Sequence, residues 1–160
     1  MFKPSRSLKG IAVILAALAL TAVPVFSAEK TPSEPDGLED ESGDVIQAIQ
    51  GYDPVAYFRE GRPVKGKKDY SYDRGGERWS FASEDNRLRF IEYPEKFLPR
   101  YGGYSALDVA EGKKIQADPK IWSVSEGRLY LHKNLASLAE WEKKQEENID
   151  RSDYQWPRIR

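Results

Sequence analysis

Gly51-Tyr52-Asp53-Pro54-Val55-Ala56-Tyr57-Phe58 is the stretch on which the reading of the fold turns. Asp before Pro is held extended, and its short carboxylate can accept from the backbone two residues on, so Asp53-Pro54 reads as a rigid turn. The apolar run Val55 to Phe58 then reads as a strand. Glu60-Gly61 reads as a tight turn, and Pro63-Val64 as a returning strand that Pro63 places at a sheet edge. Working outward, Tyr70 to Tyr72 is expected to pair with Arg78 to Phe81 across Asp73-Arg74-Gly75-Gly76. Ile121 to Val124 is expected to pair with Arg128 to Leu131 through Glu126-Gly127. Connections this short join antiparallel strands.

Helices interrupt the hairpins. Ser83 suits an N-cap, Glu84 and Asp85 suit the positive end of a helix dipole, and Leu88 with Ile91 offers an apolar stripe that stops before a short turn at Pro94 to Leu98. Asn134 can cap a longer helix in which Leu135, Leu138 and Trp141 recur at helical spacing. The tail Tyr154 to Pro157 is expected to fold back onto the domain. The fold class read from this pattern is α+β: one small domain over residues 45–160, built of antiparallel β-hairpins with short helices and a longer C-terminal helix, and without internal repeat.

Composition removes much chemistry. The chain has no Cys, its one Met is Met1 and its one imidazole is His132. Thiolate zinc sites, iron–sulfur clusters, Met-rich copper sites and disulfides are excluded by that inventory. Carboxylates are plentiful, but no Asp-x-Asp-x-Asp-Gly loop is present. No cofactor and no metal-ligand residues are therefore assigned.

Residues 1–27 read as an export signal: Lys3, Arg6 and Lys9 form a basic start, Ile11 to Val23 an apolar run ended by Pro24, and Val25-Phe26-Ser27 or Phe26-Ser27-Ala28 a small-residue exit, with cleavage expected after Ser27 or Ala28. The run is too short to span a bilayer comfortably, so no stable membrane insertion is expected after cleavage, and the expected location is the periplasm. Three of the 25 basic residues fall in this segment, which leaves 22 against 26 acidic ones in the mature chain. That balance argues against nucleic acid as a partner. Residues 28–44, with seven acidic side chains, Pro32, Pro35, Gly37 and Gly43, read as a disordered acidic linker.

The run Gly51 to Phe58, answered by Phe81-Ala82-Ser83 and Tyr93-Pro94-Glu95-Lys96-Phe97-Leu98-Pro99, resembles the YHS domain. Tyr101-Gly102-Gly103-Tyr104-Ser105-Ala106, Val109-Ala110-Glu111-Gly112, Asp118-Pro119 with Trp122, and Gly127-Arg128-Leu129-Tyr130-Leu131 are similar to the exported, single-domain YHS proteins of bacteria. In metal-binding members the resemblance implies cysteines where this chain has Ala56, Ala82 and Asn86. Exported relatives commonly have Cys at the place of Ser105 and Asn at that of His132. The resemblance thus implies the scaffold without its thiolates.

Candidate site residues follow from those motifs. Tyr52, Asp53, Tyr101, Tyr104 and Ser105 are expected to meet around a ligand-binding cleft, with Gly102 and Gly103 letting backbone come close. Asp53→Ala and Ser105→Ala are expected to weaken binding while leaving most stability intact. Phe58, Trp79, Phe81, Phe90, Phe97, Trp122 and Trp141 are assigned to packing. His132 is expected to be an exposed strand-end residue. A Ser105, His132 and Asp triad would need all three within hydrogen-bond reach, and the Gly-x-Ser-x-Gly elbow is incomplete, so no catalytic residue is assigned. The preferred function is a non-catalytic periplasmic binding or accessory module for a small molecule or a periplasmic protein. The alternatives are metal or haem handling through His, Tyr or carboxylate ligands, and an enzyme of unknown class.

Overall fold

The structure, a computed structural model, describes residues 39–160. The export signal at 1–27 and residues 28–38 of the linker lie outside the described residues. The last linker residues do form a turn: Glu39 bridges Val45, and the Asp40 carboxylate accepts from the N–H groups of Ser42 (2.8 Å) and Asp44 (3.1 Å).

A 3₁₀ turn, Ala48–Gly51, opens the domain with Ile49 (φ 39°) and Gln50 (φ 55°) in the left-handed region. The expected strand at Val55 to Phe58 is instead a helix, α1, over Ala56–Arg59. Asp53 decides this, because its Oδ1 accepts from the N–H groups of Val55 (2.8 Å) and Ala56 (3.3 Å), which are donors a starting helix leaves free. Four apolar residues carry no period that could have told the two apart. Next come β1 (Lys67–Arg74) and β2 (Glu77–Phe81), antiparallel across Gly75 and Gly76. Ser83 Oγ accepts from the Asn86 N–H at 3.2 Å and caps α2 (Glu84–Glu92), a contact of about 1 kcal/mol. The face that α2 buries carries Asn86 and Phe90. Leu88 and Ile91 lie in solvent, because β1 and β2 meet the helix along the other stripe. The turn after it is a short helix, α3 (Pro94–Phe97).

A second 3₁₀ turn, Arg100–Gly103, again holds left-handed residues, Tyr101 (φ 57°) and Gly102 (φ 60°). It leads to α4 (Ala106–Ala110), β3 (Asp118–Ser125), β4 (Arg128–His132) and α5 (Leu135–Lys143), which Asn134 caps through the Ser137 N–H at 2.8 Å. Leu135 is exposed and Trp141 fully buried, so the stripe of α5 is narrower than its spacing suggested. The expected tail is the end of a helix, α6 (Gln145–Ile159), whose Trp156 packs against Tyr101 and Tyr104.

The two halves repeat one another, contrary to the expectation of no internal repeat. In β1 and β2 the partners are Lys67 with Phe81, Ser71 with Ser80, Tyr72 with Trp79, Asp73 with Arg78 and Arg74 with Glu77. In β3 and β4 they are Asp118 with His132, Trp122 with Leu131, Ser123 with Tyr130, Val124 with Leu129 and Ser125 with Arg128. Every residue is moved by 51 positions (67 to 118, 81 to 132), and both ladders break their register at the same place. The bond from the Asp53 N–H to Val64 O recurs from Ser105 to Ile115, both at 2.8 Å. The caps Ser83 and Asn134 and the buried Phe90 and Trp141 are related by the same shift. The left-handed turns at Ile49 and Tyr101 are related by a shift of 52. The fold is α+β: two consecutive copies of one 3₁₀ turn, short helix, hairpin and helix, followed by α6.

The copies share a core. One cluster joins Tyr57, Trp79, Phe81, Phe90 and Phe97 of the first copy to Leu129 and Leu131 of the second. The Tyr57 O–H donates to Pro119 O at 2.7 Å and its ring meets Trp122 edge-on. Another cluster joins Tyr101, Ala106, Val109, Tyr130 and Trp141, with α6 laid over it. The residues assigned to packing sit in these clusters, with Phe58 and Trp122 only half-buried at their margin.

Candidate functional site

Two copies meeting through their left-handed turns leave a cleft of about 350 Å³. Ile49, Trp79 and Leu98 from the first copy face Tyr101 and Gly102 from the second, and Trp156 of α6 closes one side. Arg74, Glu77, Glu95 and Arg100 stand on its rim. The approach is close, since a Cβ at Gly103 would come within 3.0 Å of Ile49 Cγ2. Ile49 is β-branched and Tyr101 bulky, so left-handed backbone at both is strained, and such strain gathers at ligand clamps.

The expected cluster of site residues separates in the structure. Tyr101 lines the cleft, is buried, and donates its O–H to Asp153 Oδ1 at 3.0 Å. Tyr104 is half-buried beside Trp156, under the Lys114 ammonium. Tyr52 is buried in the first core cluster beneath Lys65, whose Nζ lies 4.3 Å from its ring. Neither Tyr52 nor Tyr104 lines the cleft described above.

Asp53 and Ser105, related by the shift of 52, are both fully buried and both hold backbone rather than open space. Asp53 Oδ2 accepts from the Ala82 N–H (2.8 Å) and from Asn86 Nδ2 (2.7 Å), in addition to the two bonds on Oδ1. Asn86 passes charge support inward, because its Oδ1 accepts from Arg59 at 2.8 Å. The Ser105 hydroxyl donates to Asp108 Oδ2 at 2.6 Å and accepts from the Lys133 N–H at 3.2 Å, 51 residues beyond Ala82. Lys133 Nζ closes the network on Asp108 Oδ1 at 2.6 Å. Ser105 stands at the N-cap position of α4 but spends its hydroxyl on Asp108 and Lys133, not on a helix N–H.

His132 ends β4 as expected, yet it is fully buried, because the second core cluster closes over it and Trp141 lies 5.6 Å from its ring. Nε2 is 3.0 Å from Ser123 Oγ and Nδ1 has no partner among the described residues. The tautomer protonated on Nε2 leaves no N–H unpaired. With His132 on Ser123 and Ser105 on Asp108, the two do not bond to each other. Burial pushes the imidazole down to about 4, well below its ordinary 6.5. The folded state thus resists the proton, and the stability this provides is complete above pH 6.5 and lost as pH falls toward 4. The loss is about 3 kcal/mol. Chemical denaturation at stepped pH should show His132→Gln flattening this slope relative to the parent. An unchanged slope would mean that the imidazole titrates freely.

The donor set does not suit a transition metal or haem. Among the described residues no three His, Asp or Glu side chains gather to hold an ion. Burial raises the phenols of Tyr57 and Tyr101, which disfavours tyrosinate ligands. All three positions where the resemblance implies cysteines serve Asp53: the Ala56 N–H, the Ala82 N–H and the Asn86 amide each donate to it, and Ala56 is itself fully buried. No described helix is long and apolar enough to cross a membrane.

Sequence reasoning missed Ile49, Leu98 and Trp156 and the charged rim of Arg74, Glu77, Glu95 and Arg100, and it placed Trp79 in packing alone. The cleft arises where two copies abut, so the missing signal was the repeat. Gly51-Tyr52 against Gly103-Tyr104, and Glu60-Gly61 against Glu111-Gly112, is the trace of it that the sequence retains.

Compared with known proteins, residues 55–101 match the family model described as the YHS domain. Neither a curated protein nor a solved structure gives a match. The matched span ends inside the second 3₁₀ turn, so it covers most of the first copy and stops where the second begins.

Proposed function

We propose that this chain, which carries a YHS domain over residues 55–101, is an exported, non-catalytic binding module whose ligand sits in the cleft between its two copies. The YHS domain is a metal-associated domain by family, but the donor set here does not suit that chemistry. What carries the reading is the cleft itself: an apolar floor of Trp79, Trp156, Ile49 and Leu98 ringed by four charged side chains, at a volume near the low end for small-molecule sites. The strained backbone of Ile49 and Tyr101 on opposite walls supports it. A non-catalytic role fits a chain whose one imidazole is buried away from the cleft. Export fits the order of basic, apolar and small residues at its start.

Four tryptophans make the test direct. In a fragment screen followed by amide and indole NMR, binders should shift the indole signals of Trp79 and Trp156 and leave those of Trp122 and Trp141 in place. Binders that map elsewhere, or none from a broad library at millimolar concentration, overturn the reading.

A further inference from the structure

The described chain opens on a hairpin turn. The Asp40 N–H donates to Asp44 O at 2.8 Å, and Glu39 bridges Val45 in the antiparallel sense. The returning side then lies along β2: the Arg78 N–H donates to Ile46 O at 2.8 Å, and Gln47 bridges Arg78 in the parallel sense. This places it beside the cleft, because the neighbours of Arg78 in β2, Glu77 and Trp79, line it, and so does Ile49 just past Gln47. Backbone groups alternate sides along an extended chain, so the bond that turns Ile46 toward β2 turns Val45 and Gln47 toward the opposite edge, the edge on which Glu39 sits.

Each step upstream from Glu39 is matched in that register by a step downstream from Val45. Continued, it sets Leu38 opposite Ile46 and Pro35 opposite Ile49. These are the two apolar side chains of residues 33–38, which lie outside the described residues. Ile46 is a large apolar residue 36% exposed, and Ile49 is a wall of the cleft. A slip of one residue either way would put Glu34 or Asp36 on Ile49, so the apolar pattern selects this register. Pro35 has no N–H to offer a ladder, and none is asked of it, since the extended stretch gives way to the 3₁₀ turn at Ala48.

Resting on the reading of the cleft as a ligand site, we propose that residues 33–38 are its resident occupant. They extend the hairpin along the edge at Ile46, cover that side chain with Leu38 and seat Pro35 in the cleft at Ile49, so a ligand enters by displacing them. Pro35 precedes Glu39 by as many residues as Ile49 follows Val45, so the segment reaches. A segment tethered this closely meets the cleft at an effective concentration on the order of millimolar, so two apolar contacts suffice to hold it.

The chain has no cysteine, so Glu34→Cys gives a single attachment point for a nitroxide on the full chain. Its paramagnetic broadening should weaken the indole NMR signals of Trp79 and Trp156 and spare those of Trp122 and Trp141. Leu38→Ser should remove that broadening. Indole, a neutral ring suited to the apolar floor, should bind the Leu38→Ser chain about 3-fold or more tighter than the parent, because the cleft is no longer shared. Broadening that is absent, equal at all four tryptophans or unchanged by Leu38→Ser overturns the proposal. Equal indole affinity for both chains overturns it too, since the segment would then dock beside the cleft without filling it. If indole shifts the Trp79 and Trp156 signals while the label spares them, the docking falls and the ligand site stands. If the label behaves as expected and neither indole nor the fragments bind either chain, the docking stands and the ligand site falls.

Discussion

Asp53→Ala is expected to lower stability by about 3–5 kcal/mol, which for a body of this size moves the melting temperature by more than about 10 °C. The side chain is fully buried and takes four bonds, from the N–H groups of Val55, Ala56 and Ala82 and from Asn86 Nδ2. Removing it strands those donors in a space that water does not reach, and each stranded donor costs about 1–3 kcal/mol. It also uncouples α1 from the start of α2, since one carboxylate holds both. Asp53→Asn keeps the shape but turns an N–H group toward the Ala82 N–H or toward Val55, so it should recover only part of the loss. Urea denaturation measures both. A loss below about 1 kcal/mol for the alanine variant would show that the four bonds are replaceable and would return Asp53 to the list of ligand residues. This expectation reverses the one drawn from sequence, in which Asp53 and Ser105 were binding residues whose removal spared the fold.

How that reversal arose shows what sequence exposes. Ser83 and Asn134 announced α2 and α5 through cap chemistry, and Gly75-Gly76 with Glu126-Gly127 announced both hairpins, because those signals act within a few residues. The role of Asp53 depends on Ala82 and Asn86, about thirty positions on, and that of Ser105 on Lys133. An acid before proline looks the same whether it faces a ligand or clamps backbone. His132 was placed at a strand end correctly and in solvent wrongly, since its burial is imposed by Trp141 across the cluster. The cleft was hidden for the same reason in stronger form. Its walls come from residues in both copies and from α6, and the repeat that brings them together survives in few identical residues. Tyr101 alone among the five candidates lines it, because it belongs to the left-handed turn through which the copies touch.

Phe90→Ala and Trp141→Ala should each cost about 3–5 kcal/mol, as large buried aromatics do when truncated. The two stand at corresponding positions, each fully buried, each on the inner face of the helix that follows its hairpin. Phe90 stacks on Trp79 at 5.1 Å, and Trp141 meets Tyr130, the counterpart of Trp79, at 5.1 Å. If the copies were independent bodies, each substitution would melt its own half and leave the other. The first core cluster argues otherwise. Tyr57 of the first copy bonds Pro119 of the second, and Leu129 and Leu131 of the second copy lie in the cluster built on Phe81 and Phe90. Both variants should therefore unfold in a single transition, with near-ultraviolet circular dichroism and hydrogen exchange reporting the same midpoint for residues of either half. Two separated transitions in either variant would mean that the contact between the copies contributes less than the packing within each. The cleft would then open and close as the halves part, and would not stand preformed between them.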